Sequence, residues 1–128
     1  MTVTLASKTS TAGTVTATLS ATITVYSASQ AGTVGQIVEG WIDLRNMIAG
    51  DTIIVLEVFA IDGTTFETYN SQTIVGAQTA PVIRFPARIL DENSAGTIGA
   101  IGYKVQLNAT GGTARAVLYS FTTLAMSQ

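Results

Sequence analysis

Residues 14 to 26 read Thr14-Val15-Thr16-Ala17-Thr18-Leu19-Ser20-Ala21-Thr22-Ile23-Thr24-Val25-Tyr26, a near-perfect period of two. Val15, Ala17, Leu19, Ala21, Ile23 and Val25 fall on one side. Thr14, Thr16, Thr18, Ser20, Thr22 and Thr24 fall on the other. Successive side chains on a strand face opposite sides of the sheet, so the stretch predicts a β-strand with one buried face. Its polar face carries hydroxyls and no charge. From Thr9 to Val38 there is no Asp, Glu, Lys or Arg. Monomeric β-proteins protect exposed strand edges with Lys, Pro or a bulge. The lack of charged protection here points to a surface that meets another subunit.

The length of this strand poses a problem. Thirteen residues at about 3.4 Å each span about 44 Å. A compact domain of 128 residues has a radius of gyration of about 14 Å. Either the strand bends and serves two sheets, or one end leaves the domain as an arm that adds a strand to a neighbour. The expected division is residues 1–13 as an N-terminal arm or short first strand, and 14–128 as the β-sandwich.

The remaining sequence continues in strands, with turn punctuation every 8–12 residues. Gln36 to Leu44 alternates Val38, Ile42 and Leu44 against Glu39, Trp41 and Asp43. Thr52 to Ile61 is apolar on both faces, as a central strand is, and is interrupted by Glu57. Asp62-Gly63 predicts a type I′ hairpin. Thr64 to Tyr69 and Gln72 to Val75 read as two short strands. Val82 to Leu90 places Ile83, Phe85, Ala87 and Ile89 against Arg84, Pro86 and Arg88. Pro86 cannot donate to a ladder, so this strand lies at an edge or is bulged. Ile101 to Leu107 and Ala114 to Leu124 flank a predicted hairpin at Gly111-Gly112. Eight or nine strands form an all-β, single-domain antiparallel β-sandwich, jelly-roll-like in closure.

Composition excludes several functions. The chain has no His and no Cys, and only 11% of its residues are charged, against about 25% in an average soluble domain. The commonest general base and metal ligand are absent. Glu39 and Asp43 sit four strand positions apart, about 13 Å, too far for the carboxylate pair of a glycosidase. Asp91-Glu92-Asn93 offers too few oxygens for calcium. Asn108-Ala109-Thr110 matches a glycosylation pattern, but the opening residues Met1 to Lys8 lack an export signal. The chain starts at Met1, so processing is not expected. There is no basic patch for nucleic acid and no apolar run long enough for a membrane helix. No catalytic residue, cofactor, metal or small-molecule substrate is expected.

The candidate residues are therefore for subunit contact: Val3, Leu5, Thr16, Thr18, Ser20, Thr22, Trp41, Arg84 and Arg88. Trp41 with Tyr69 also suggests a carbohydrate platform. A strand-exchanging extracellular filament is a further structural alternative.

The order Gly-Trp-Ile-Asp-Leu-Arg-Asn-Met-Ile-Ala-Gly-Asp-Thr (40–52), Ile-Asp-Gly-Thr-Thr-Phe (61–66), Gly-Ala-Gln (76–78) and Gly-Tyr-Lys-Val-Gln-Leu (102–107) resembles small all-β virion structural proteins of bacteriophages and environmental viruses. The resemblance covers about half the chain and rests on turns and strand cores. It implies a capsid decoration, minor capsid or appendage role. The implied partners are copies of itself and a major capsid or other virion protein. Assembly in a host cytoplasm and residence in the virion are expected.

Overall fold

The structure is a computed structural model that describes residues 4–29, 35–90 and 101–127. Eight strands follow one another: β1 (Thr4–Ala17), β2 (Thr22–Ser29), β3 (Gln36–Asp43), β4 (Thr52–Ala60), β5 (Glu67–Val75), β6 (Val82–Leu90), β7 (Gly102–Gly111) and β8 (Arg115–Ser127). They form two antiparallel four-stranded sheets, β1-β8-β3-β6 (sheet I) and β2-β7-β4-β5 (sheet II). That strand order is a jelly roll, in which the chain winds between two packed sheets as a pair of Greek keys.

The alternating stretch 14–26 bends and serves both sheets. It breaks at Thr18–Ala21 between β1 and β2. Ser20 takes a left-handed φ of 59° there, and its N–H donates to the Ala109 carbonyl at 2.8 Å. A serine tolerates that conformation poorly, so a hydroxyl residue in an unbroken alternation gave no warning of the corner. β1 runs continuously from Thr4 to Ala17 and pairs with β8 of the same chain, so residue 13 lies within a strand and not at its boundary.

The core fills the space between the sheets. Val38, Ile42, Leu44, Ile53, Val55, Phe85, Leu90, Tyr103, Val105, Leu107, Val117 and Phe121 are all buried there. The expected inward faces of β3 and β7 are thus observed. The rings of Tyr26 and Phe121 stack in parallel across the two sheets, 4.6 Å apart and 2° from coplanar. Gly40 provides the room on the other side. A Cβ there would lie 2.3 Å from Cδ1 of Phe121 and 2.6 Å from the Ser120 carbonyl.

Four expectations are corrected. Residues 67–75 form one strand, β5, where two short ones were expected. Its register against β4 shifts once, between Glu57 and Val58, and the ladder then continues. The Asp62-Gly63 turn is not type I′. Only Gly63 takes positive φ (81°), and a type I′ turn needs two such residues. The Asp62 carboxylate instead accepts from the backbone N–H of Thr64 (2.9 Å) and Thr65 (2.7 Å). These donors hold its pKa down to about 2. The Gly111-Gly112 turn is not a hairpin between paired strands. β7 lies in sheet II and β8 in sheet I, so the turn arches across the core.

The fourth correction concerns β6. It is an edge strand, as Pro86 requires, and it is also bulged. Val38 faces Arg88 and Gly40 faces Phe85, so Pro86 and Ala87 together oppose Glu39. An extra residue inverts the alternation beyond it. Arg88 therefore turns inward and Ile89 turns out, 71% exposed. Arg84 and Arg88 do not share a face.

Candidate assembly surface

Two buried carboxylates, Glu57 and Asp51, tie separate parts of the sandwich together. Glu57 on β4 is 2% exposed. Arg88, arriving from β6 of the other sheet, donates to both its oxygens at 2.9 Å. The Tyr103 hydroxyl donates to Oε2 at 2.6 Å. Burial pushes the Glu57 carboxyl up. The Arg88 and Tyr103 donors outweigh that and hold it below the usual range. Burial, with the adjacent carboxylate, pushes the Tyr103 phenol strongly up. Arg88 also lies over the Tyr69 ring, 4.9 Å from its centroid. Asn70 also reaches Oε1 of Glu57 at 3.5 Å, so both carboxylate oxygens are engaged by side chains of the fold.

Asp51, 1% exposed, ties the β3–β4 connection to the arch after β7. It accepts from Arg115 Nε (2.6 Å), from the Ile48 N–H (2.8 Å) and from the Thr113 N–H (3.1 Å). The Arg115 guanidinium, followed by these N–H groups, holds its pKa down to about 2. Among the described residues no three His, Cys, Asp or Glu side chains cluster as a metal site would need. Asp91-Glu92-Asn93 lies outside the described residues.

The outer face of sheet I is a different kind of surface. Register places Leu124, Ile37 and Ile89 side by side across β8, β3 and β6. Six residues along, Leu118, Asp43 and Val82 form a parallel row, with Trp41 beside it. Trp41, Val82 and Leu118 line an open cleft of about 280 Å³. Trp41 is 47% exposed, and the Arg84 guanidinium lies 5.4 Å from its ring centroid. Arg84 also reaches Glu39 at 3.5 Å. The corresponding rows on sheet II are more polar: Thr22, Asn108, Ile54 and Thr73, then Thr24, Gln106, Leu56 and Ser71. Trp41, Val82 and Ile89 are exposed on this face and Ile37, Leu118 and Leu124 are half-buried; clustered exposed apolar side chains are typical of surfaces that contact other molecules.

The sequence-derived candidates are distributed unevenly. Trp41 and Arg84 come together on the sheet I face. Arg88 is withdrawn into the contact with Glu57. Thr16 lies exposed on β1 in sheet I, Thr18 and Ser20 at the corner, and Thr22 on β2 in sheet II, so these four share no face. Leu5 stands on β1 opposite Met126. Val3 lies outside the described residues. Tyr69, on β5 of sheet II, packs edge-on against Phe59 and does not join Trp41 in one platform. Ile37, Ile89, Leu118 and Leu124 were missed. The first two alternate with apolar neighbours, and only the bulge at Pro86–Ala87 sends Ile89 outward.

The strand order and the two packed faces define an eight-stranded jelly-roll domain. No protein-family model matches the chain, and no curated protein sequence matches it. Solved structures share the fold, among them two of viral particles. One is the crystal structure of the infectious bursal disease virus VP2 subviral particle, with TM-score 0.50 and 11% identity over 94% of this chain and 32% of that one. The other is the 2.6 Å structure of T=1 particles derived from infectious bursal virus, with TM-score 0.51 and 12% identity over 92% of this chain and 31% of that one. The chain spans about a third of the length of these relatives. At such identities the likeness is one of fold.

Proposed function

We propose that the chain is a non-enzymatic, capsid-type structural protein whose work is to assemble. Copies of itself and a further virion protein are its partners, and the virion is its location. Decoration, minor capsid and appendage are the roles this reading takes in. The observation that carries this reading is the outer face of sheet I, where Ile89, Trp41 and Val82 are exposed and Ile37, Leu118 and Leu124 lie half-buried beside them in register. The viral particle proteins that share the fold support it.

Apolar area removed from water contributes about 25 cal/mol per Å², and a weak contact repeated on every copy of a closed shell becomes strong by multivalency. The test is Ile89→Lys in the full chain. Ile89 contributes little to folding because it is so exposed. The variant is expected to fold normally and to lose assembly, as read by light scattering after size exclusion. Assembly equal to the parent counts against this face.

A further inference from the structure

A two-sheet sandwich has four edge strands, here β1 and β6 in sheet I and β2 and β5 in sheet II. Three of them carry devices that discourage pairing with another chain. β6 has Pro86, a bulge and two arginines. β5 starts at Glu67 and is bulged against β4. β2 has only 8 residues and its register shifts between Thr24 and Tyr26. β1 is different. It has 14 residues, and its only irregularity lies at its start, between Leu5 and Ser7. From Ser7 to Ala17 its register on β8 is unbroken. It contains no Pro, and Lys8 is its one charged residue.

Exposure adds a second observation. Every residue from Ser7 to Thr14 is exposed, on the side facing sheet II as well as on the outer side. Tyr119 of β8 lies against Gly13, and among the described residues no strand pairs with the outer edge of this segment. Half of its backbone N–H and C=O groups face β8, and the alternate half face away from it. An edge of this length, with Lys8 as its one charge and an unbroken register from Ser7 to Ala17, is a template for strand addition.

We propose that β1 pairs antiparallel with β1 of a second copy, about a two-fold axis at Thr11. This rests on the self-assembly reading and gives it a specific contact. Charge selects the occupant. Apart from Lys8, β1 offers no charge to complement a charged strand, and two β1 strands present almost nothing that repels. With the axis at Thr11, Lys8 faces Thr14 of the other copy and Ser10 faces Ala12. Outer residues stay on the outer side across such an axis. The two sheets then fuse into one eight-stranded sheet, and the apolar faces of both copies lie on the same side. The contact is isologous, so one surface serves both partners.

The test uses two variants of the full chain. Ser10→Lys/Ala12→Lys changes two exposed positions and sets lysines opposite lysines only when β1 meets β1. It is expected to keep the parent's melting temperature and to lose at least tenfold in dimer affinity by sedimentation equilibrium. Thr11→Cys introduces the chain's one thiol at the axis, and mild oxidation is expected to give a covalent dimer on a denaturing gel. A parent that associates while the folded lysine variant associates equally well overturns the edge contact. So does an associating parent whose Thr11→Cys form gives no covalent dimer. A parent that stays monomeric overturns this contact and the assembly reading together, which separates the two failures.

Discussion

Arg88 spans the sandwich to Glu57, donating one hydrogen bond to each carboxylate oxygen at 2.9 Å. The pair joins an edge strand of sheet I to an inner strand of sheet II. A buried carboxylate is tolerated only when its charge is met, so the two residues stand or fall together.

Removing the arginine leaves the charge uncompensated. Arg88→Met is expected to cost about 3 kcal/mol in urea unfolding. Glu57→Met/Arg88→Met, which removes both charges and keeps the volume, is expected to recover most of that loss. A double variant no more stable than Arg88→Met would show that the arginine acts through its packing on Tyr69 and not through Glu57.

Acid is expected to unfold the protein in a defined window. Asp51 and Asp62 are held at about 2 in the folded chain, against 3.8 for an ordinary aspartate. A lowered folded-state pKa means that the unfolded chain binds protons first. The stabilisation from both groups is therefore complete above about pH 4 and vanishes as pH falls through about 2. Glu57 shifts in the same direction. With no His in the chain, no side chain of ordinary pKa titrates between about pH 5 and 8. The urea midpoint should be flat there and fall steeply below pH 4. Asp51→Asn should lower the plateau and shallow the fall. An equal slope in that variant would contradict the role given to Asp51.

Gly40 is a packing requirement. Phe121 lies against it and cannot retreat, because Tyr26 is stacked on the ring. Gly40→Ala is expected to cost about 2 kcal/mol, in the range of an overpacked core. Gly76→Ala is a useful contrast. Its φ of 73° strains an added Cβ, yet that Cβ meets nothing within 4 Å. Its cost of about 1 kcal/mol is conformational and does not depend on the aromatic stack. Combining each with Tyr26→Leu, measured by thermal unfolding, should relieve the part of the first that comes from the Phe121 ring, leave the part from the Ser120 carbonyl, and leave the second unchanged.

Much of the fold was legible in residue patterns. Alternation located the strands, Pro86 marked an edge, and Val38, Ile42 and Leu44 revealed the inner face of β3. Local pattern failed where one residue changes the phase. The corner at Ser20 carries no Gly or Pro, and the bulge at Pro86–Ala87 exchanges the faces of Arg88 and Ile89. It failed again where two turns of similar composition lead to different sheets, as at Gly111-Gly112. Glu57 looked like an interruption of an apolar strand because its partners, Arg88 and Tyr103, stand 31 and 46 residues away. The candidate surface was half visible. Trp41 and Arg84 were singled out, but the Leu124–Ile37–Ile89 row exists only in the strand register.

The outer face and the β1 edge are expected to make separable contributions to assembly. Trp41→Ala is expected to leave unfolding unchanged within about 0.5 kcal/mol, since the ring is half exposed. It should weaken assembly less than Ile89→Lys does, because it removes apolar area without adding a buried charge. Equal assembly by Trp41→Ala and the parent would exclude the cleft from the contact.

Self-association is the central claim, and the mass of the full chain in solution tests it most directly. Sedimentation velocity across a hundredfold range of concentration is expected to show species many times heavier than the 13.3 kDa chain, growing with concentration. A single 13.3 kDa boundary persisting to the highest soluble concentration would contradict it.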